Sequence, residues 1–144
     1  MTSMNKLNLA KLWLEQNQNL FLSNSDSIEQ VVILTADIRR DPAVASLGMT
    51  FGSRYEIRPH LFVSIRCTDG SRKIGIVEIS ENALGLTTLG VMQAYSRLAE
   101  PDYSIILCEK SLSRELLDLK SNPNVSNRIF SYGKNKEIIT LEFS

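Results

Sequence analysis

The chain has 144 residues, 43% of them apolar and 22% charged, with sixteen basic side chains against sixteen acidic ones. That length fits one domain able to bury a core without staples, and the composition excludes a disordered chain. Zero net charge argues against a general polyanion binder and leaves open only a local basic face.

Residues 5–22 read as an amphipathic helix, with Leu9, Trp13, Leu14 and Leu20 near helical spacing. The start holds no signal-peptide core, and no run approaches the roughly 18 apolar residues of a membrane span, so a soluble, cytoplasmic protein is expected. A polar break at 23–27 leads to a strand over 29–35. Arg39-Arg40 reads as a solvated pair. Asp41-Pro42 then opens a short helix that Gly48 ends, because a capping acid precedes a proline at the first helical position.

The spacing predicts a strand over 55–67, with Leu61, Val63, Ile65 and Cys67 on one face and His60, Phe62, Ser64 and Arg66 on the other. Asp69-Gly70 is a tight-turn signal, so the strand over 73–80 pairs back antiparallel. A second long helix covers 84–99, with Leu84, Val91, Met92, Ala94, Tyr95, Leu98 and Ala99 on its apolar arc and Gln93 and Arg97 opposite. The strand at 103–109 follows it, and this order predicts a crossover that sets it parallel to the strand over 73–80.

Ser111 or Ser113 caps a third helix carrying Leu112, Leu116 and Leu119, which Ser121-Asn-Pro-Asn124 stops. Strands over 128–132 and 137–143 then flank a turn at Gly133-Lys-Asn135. Cys67 and Cys108 fall in strands without a Cys-x-x-Cys or Cys/His cluster, and they read as buried thiols in a reducing compartment. The whole is a single mixed α/β domain with a central sheet.

Two short stretches carry a resemblance. Arg58-Pro59-His60 opens a strand, and Val77-Glu78-Ile79-Ser80 closes the next, before the crossover helix with Gln93 and Tyr95 and the run Pro101-Asp-Tyr-Ser-Ile-Ile-Leu107. From about residue 55 to 132 this order is similar to the PD-(D/E)xK superfamily, the restriction-endonuclease-like fold. Such domains place a helix first, then an antiparallel hairpin carrying metal ligands, then a crossover helix and a further strand. The resemblance implies an α/β fold with a mixed sheet flanked by helices, and a site at Glu78, His60 and Ser80 acting on phosphodiesters with Mg²⁺ or Mn²⁺.

That chemistry needs two carboxylates for a hard cation and a lysine beside the attacking water. Here His60 stands in place of the aspartate and Ser80 in place of the lysine, so Glu78 alone is retained as a metal ligand. Gln93 and Tyr95 are two apart, whereas one branch of the superfamily spaces such a pair by four. Asp69, Glu56 and Glu15 are the candidates for a replacement carboxylate.

Three functions follow. The first is a nuclease-like protein without activity, needing no cofactor and serving as an accessory subunit that contacts nucleic acid or protein. Arg58, Arg66, Lys73, Gln93 and Arg97 would then be the nucleic-acid contacts, with Arg54 and Arg72 in the same basic stretch. The second is an active metal-dependent nuclease with a rearranged site. The third is a homodimer or interaction module, in which the strand at 137–143 pairs with a second copy if it lies on a sheet edge. Neither a phosphate-binding glycine loop nor a nucleophile elbow beside the sole histidine is present.

Overall fold

The computed structural model describes residues 2–48, 56–110 and 112–143. Among these a six-stranded sheet runs in the order β1 (Asp26–Ile33), β2 (Leu61–Cys67), β3 (Arg72–Ser80), β4 (Tyr103–Cys108), β6 (Lys136–Glu142), β5 (Ser131–Gly133). The first three strands are an antiparallel meander. β4 runs parallel to β3, and β6 parallel to β4. β5 pairs antiparallel with β6 at Ser131–Glu137 and Gly133–Lys136 alone.

Helices cover both faces of the sheet. On one lies α1 (Met4–Gln16), whose Leu7, Ala10 and Leu14 pack on Val31, Leu61, Val63, Val77 and Ile105. These helical residues recur at i, i+3 and i+7, the spacing that puts one stripe on a sheet. The opposite face carries α3 (Leu86–Ala99), α4 (Arg114–Lys120) and α5 (Pro123–Phe130), packed through Leu89, Met92, Leu116 and Phe130 on Ile76, Ile106 and Ile138. Beside them α2 (Pro42–Ser46) and its loop seat Ile38, Val44 and Ile57 on Val32 and Phe62.

Several expectations hold. Asp41 caps α2 with Pro42 in its first turn, and Ser113 caps α4. Gly70 takes a φ of 85° in the β2–β3 turn, a conformation glycine adopts without a Cβ penalty. The crossover from β3 through α3 to β4 is parallel as the order of elements requires. Cys67 and Cys108 are free thiols, but only Cys108 is buried as expected, which pushes its thiol up to about 11, while Cys67 is half-buried.

Others need correction. The first helix ends at Gln16, where the Asn17 side chain donates to Trp13 O at 2.8 Å, and only a single 3₁₀ turn follows at Gln18–Leu20. Its buried stripe is one step round from the expected one, leaving Leu9 at 55% and Leu20 at 56% exposure. On α3, Val91 and Leu98 also face outward, while Leu89 and Ser96 are buried. β2 starts only at Leu61, after Pro59, and residues 49–55, including Arg54, lie outside the described residues. Ser111 lies outside them as well.

The largest difference is at 123–130, which is helical where a strand is expected from 128. Asn122 accepts from Asn124 N–H and Pro123 follows at the first helical position, so the stop of one helix is also the start of the next.

Candidate functional site

β2 and β3 are in register with Leu61 opposite Val77, which brings the next pair of residues, His60 and Glu78, side by side at the end of the ladder. Glu78 Oε1 lies 2.6 Å from His60 Nδ1 and also accepts from the His60 backbone N–H at 3.2 Å. Ile79 N–H reaches the same Nδ1 at 2.9 Å. One imidazole nitrogen carries either a proton or a lone pair, so it serves Glu78 or Ile79 at any instant, not both. Nε2 lies 3.3 Å from Thr2 Oγ1, and His60 C=O accepts from Leu34 N–H. His60 thus laces β3 and the chain entering α1 through its imidazole, and the loop after β1 through its backbone carbonyl.

Ser80 shares the Glu78 face, as a spacing of two dictates. Its hydroxyl donates to Asn82 C=O at 2.9 Å, and the residue is buried. Tyr95 belongs to this neighbourhood: burial pushes its phenol up, and the negative charge of Glu78 adds to the effect.

The divalent cation implied by the nuclease resemblance does not fit these donors. Glu78 Oε1 is held by both the backbone and the ring of His60, and imidazole is a poor partner for Mg²⁺. No three His, Cys, Asp or Glu side chains are gathered for a metal among the described residues. The candidate replacements lie elsewhere. Asp69 accepts from Ser71 N–H and Oγ in the hairpin turn. Glu15 is exposed on α1, the layer that covers the Val77 and Ile79 face rather than the Glu78 face. Glu56 is exposed on the loop before β2.

The expected basic face is bound to acids of β1. Arg66 grips Glu29 through Nε at 2.8 Å and through Nη2, and Arg72 reaches the same carboxylate at 3.2 Å. The Arg66 bond and the Ser64 hydroxyl hold the Glu29 carboxyl below its ordinary value. Lys73 pairs with Asp26 at 3.0 Å, and Tyr103 donates to that same oxygen at 2.6 Å. The Tyr103 hydrogen bond, with Lys73 adding to it, holds Asp26 far below the usual carboxylate range. Arg58 donates to Thr35 C=O at 3.2 Å.

Gln93 is half-buried and Arg97 exposed, and both are engaged with the chain itself. Gln93 Nε2 donates to Ile129 O at 2.6 Å and Ser131 O at 2.8 Å, while Arg97 donates to Gln93 Oε1 and Ser131 O. Together they hold the carbonyls that α5 leaves without intrahelical partners. These are fold contacts.

Sequence reasoning passes over Asp37 and sees Asp41 only as a helix cap; both are buried acids of the loop after β1. Asp37 takes the Arg39 guanidinium in a fork at 2.9 and 3.0 Å, and accepts the N–H of Arg39 and Ile57. Arg39 is therefore not a solvated side chain. Burial opposes ionisation of Asp37, but these donors outweigh it and keep its carboxyl below the ordinary value. Asp41 is likewise lowered against burial, by the N–H groups of Thr35, Val44 and Ala43. The available signal was the acid-x-Arg-x-acid spacing of Asp37-Ile-Arg-Arg-Asp41 before a proline.

No helix among the described residues is long and apolar enough to cross a membrane. No protein-family model matches the chain, and neither a curated protein nor a solved structure matches it.

Proposed function

We propose that the chain is a catalytically silent protein of the restriction-endonuclease-like class, acting as an accessory subunit that binds protein. Support for the class comes from the order of elements: a leading helix, an antiparallel hairpin, a crossover helix and a further parallel strand. The Glu78–His60 contact at 2.6 Å carries the functional reading. At the position where a nuclease of this class holds two carboxylates open to a cation, this chain joins its one carboxylate to an imidazole. Ser80, at the lysine position, offers no charge for the attacking water.

Protein is favoured over nucleic acid as partner because the cations of β2 and β3 already have carboxylates. Phosphate binding requires cations free to replace the counterions they displace. Arg66, Arg72 and Lys73 meet Glu29 and Asp26 instead.

The test is a cleavage and retention assay on double-stranded, branched and single-stranded DNA and on RNA, with Mg²⁺ or Mn²⁺. The expected result is no metal-dependent cutting and no salt-sensitive retention by the wild type. Metal-dependent cutting that Glu78→Ala abolishes would overturn this reading and establish a nuclease with a rearranged site. Ser80→Lys is expected to stay inactive, because it leaves the Glu78–His60 contact in place.

A further inference from the structure

β6 is covered on only part of its outer side. β5 pairs with it at Lys136 and Glu137, and no described residue pairs with it beyond. Phe143 N–H donates inward to Cys108 C=O at 3.1 Å. Backbone groups alternate sides along a strand, so Thr140 and Glu142 present both N–H and C=O outward. Neither has a backbone partner on that side among the described residues. Ile139 and Leu141 stay half-buried, where the matching β4 residues Ile105 and Leu107 are fully covered.

Apolar clefts flank this open length on both faces. On one side Leu9 and Leu12 of α1, exposed at 55% and 52%, line a cleft of about 210 Å³ with Trp13 and Phe143. On the other, Leu117 of α4, exposed at 50%, lines a cleft of about 250 Å³ with Lys120, Thr140 and Glu142. A helix of each layer thus lines a cleft beside a strand position that the described residues leave unfilled.

We infer that this slot is filled by β6 of a second copy, the two strands pairing antiparallel about a two-fold axis into one continuous sheet. The inference does not rest on the silent-nuclease reading. Three observations favour a second copy over a foreign segment. The open edge is complementary to itself, since hydrogen-bonding parity sets outward residues against outward residues, Thr140 opposite Glu142 of the second copy. That register is also charge-complementary: Lys120 Nζ lies 3.3 Å from Thr140 Oγ1, so an acid placed opposite Thr140 meets an ammonium, and the two-fold axis makes the contact twice. With zero net charge on each copy, no long-range repulsion opposes the approach.

The experiment is light scattering and sedimentation of the full chain from low micromolar to near-millimolar concentration. The expected result is a concentration-dependent dimer of twice the chain mass. Thr140→Pro, which removes one outward N–H at an edge that tolerates proline, should yield a monomer with unchanged circular dichroism. Lys120→Glu and Glu142→Lys should each weaken the dimer by about tenfold, and their combination should restore it. Lys120 and Glu142 are exposed, so these variants keep the test intact if Thr140→Pro fails to fold. A wild type that stays monomeric throughout overturns the inference and leaves the slot to an extended segment of another protein. A dimer indifferent to these substitutions overturns it too, and a double variant as weak as the singles overturns the register.

Discussion

The sheet has two edges, and the chain treats them differently. At β1 the register shifts between Ile28 and Gln30, the Ile28 N–H is taken by the Gln18 side chain at 2.9 Å, and Asp26 and Glu29 bring charge to the strand. Bulges and charged residues are the devices that stop an edge from recruiting another strand. At β6 the open length Thr140–Phe143 carries a single charge, Glu142, and neither a proline nor a lysine, and exposed leucines stand on both sides. One edge is closed by its own side chains, the other only by a three-residue strand. The contrast also reassigns the basic residues: the stretch that reads as a binding face is part of how the β1 side is closed.

The largest expected effect is on the loop that leaves β1. Asp37→Ala strips the partner from the Arg39 guanidinium and the Ile57 N–H, and should lower stability by about 3 kcal/mol in urea melts. A loss below about 1 kcal/mol would show that this loop does not hold the β1 side together.

Acid should act through the same groups. Asp26, Asp37 and Asp41 are all lowered in the folded state, so their contribution is complete above the unfolded carboxylate value of about 4. It is lost as pH falls below that and through the folded values. Stability should be level above pH ~5 and fall steeply below pH ~4, with a shallower fall in Asp41→Asn. Parallel curves for the two proteins would remove Asp41 from the account.

A smaller effect is expected where β5 is anchored. Gln93→Ala removes two bonds to the carbonyls that end α5 and should cost about 1 kcal/mol, while faster amide exchange appears in residues 129–133. Glu29→Ala should change retention more than folding: with Arg66 and Arg72 released, weak salt-sensitive binding to heparin or DNA should appear where the wild type has none. The smallest effect belongs to Val91→Lys, on an exposed α3 position away from both edges, which should alter stability by less than ~0.5 kcal/mol.

Much of the fold is legible in the sequence because its signals are local. Asp69-Gly70 announces the hairpin, Asp41-Pro42 the short helix, and the run 103–109 a strand. Asn122-Pro123 is local too, but it reads equally as the end of one helix and the beginning of another, and only packing of Phe130 against the sheet decides. The α1 stripe is misjudged because leucines surround the helix, so periodicity does not choose between Leu9 and Leu7.

The candidate site is half legible. The strand period puts Glu78 and Ser80 on one face and sets His60 near them. What the sequence could not disclose is which partners the side chains choose. Arg66 meets Glu29, and Lys73 meets Asp26, through a strand register that links residues far apart along the chain. Asp37 escapes notice for the same reason, as does the bond of Asp41 to Thr35 beyond its cap: these roles are visible only when the backbone donors around them are placed.

The parallel pairing of β4 with β6 also fixes an order of assembly. The turn at Asp69-Gly70 brings β2 and β3 together through a short closure at small entropic cost. β6 cannot dock on β4 until the intervening helices have folded back across the sheet, and contacts between distant segments form slowly. Through that interval the apolar flank of β4 has no neighbour, so the unfinished chain has its greatest tendency to aggregate just before its last strand arrives. Refolding yield should therefore depend on protein concentration, even under conditions where the finished sheet is stable.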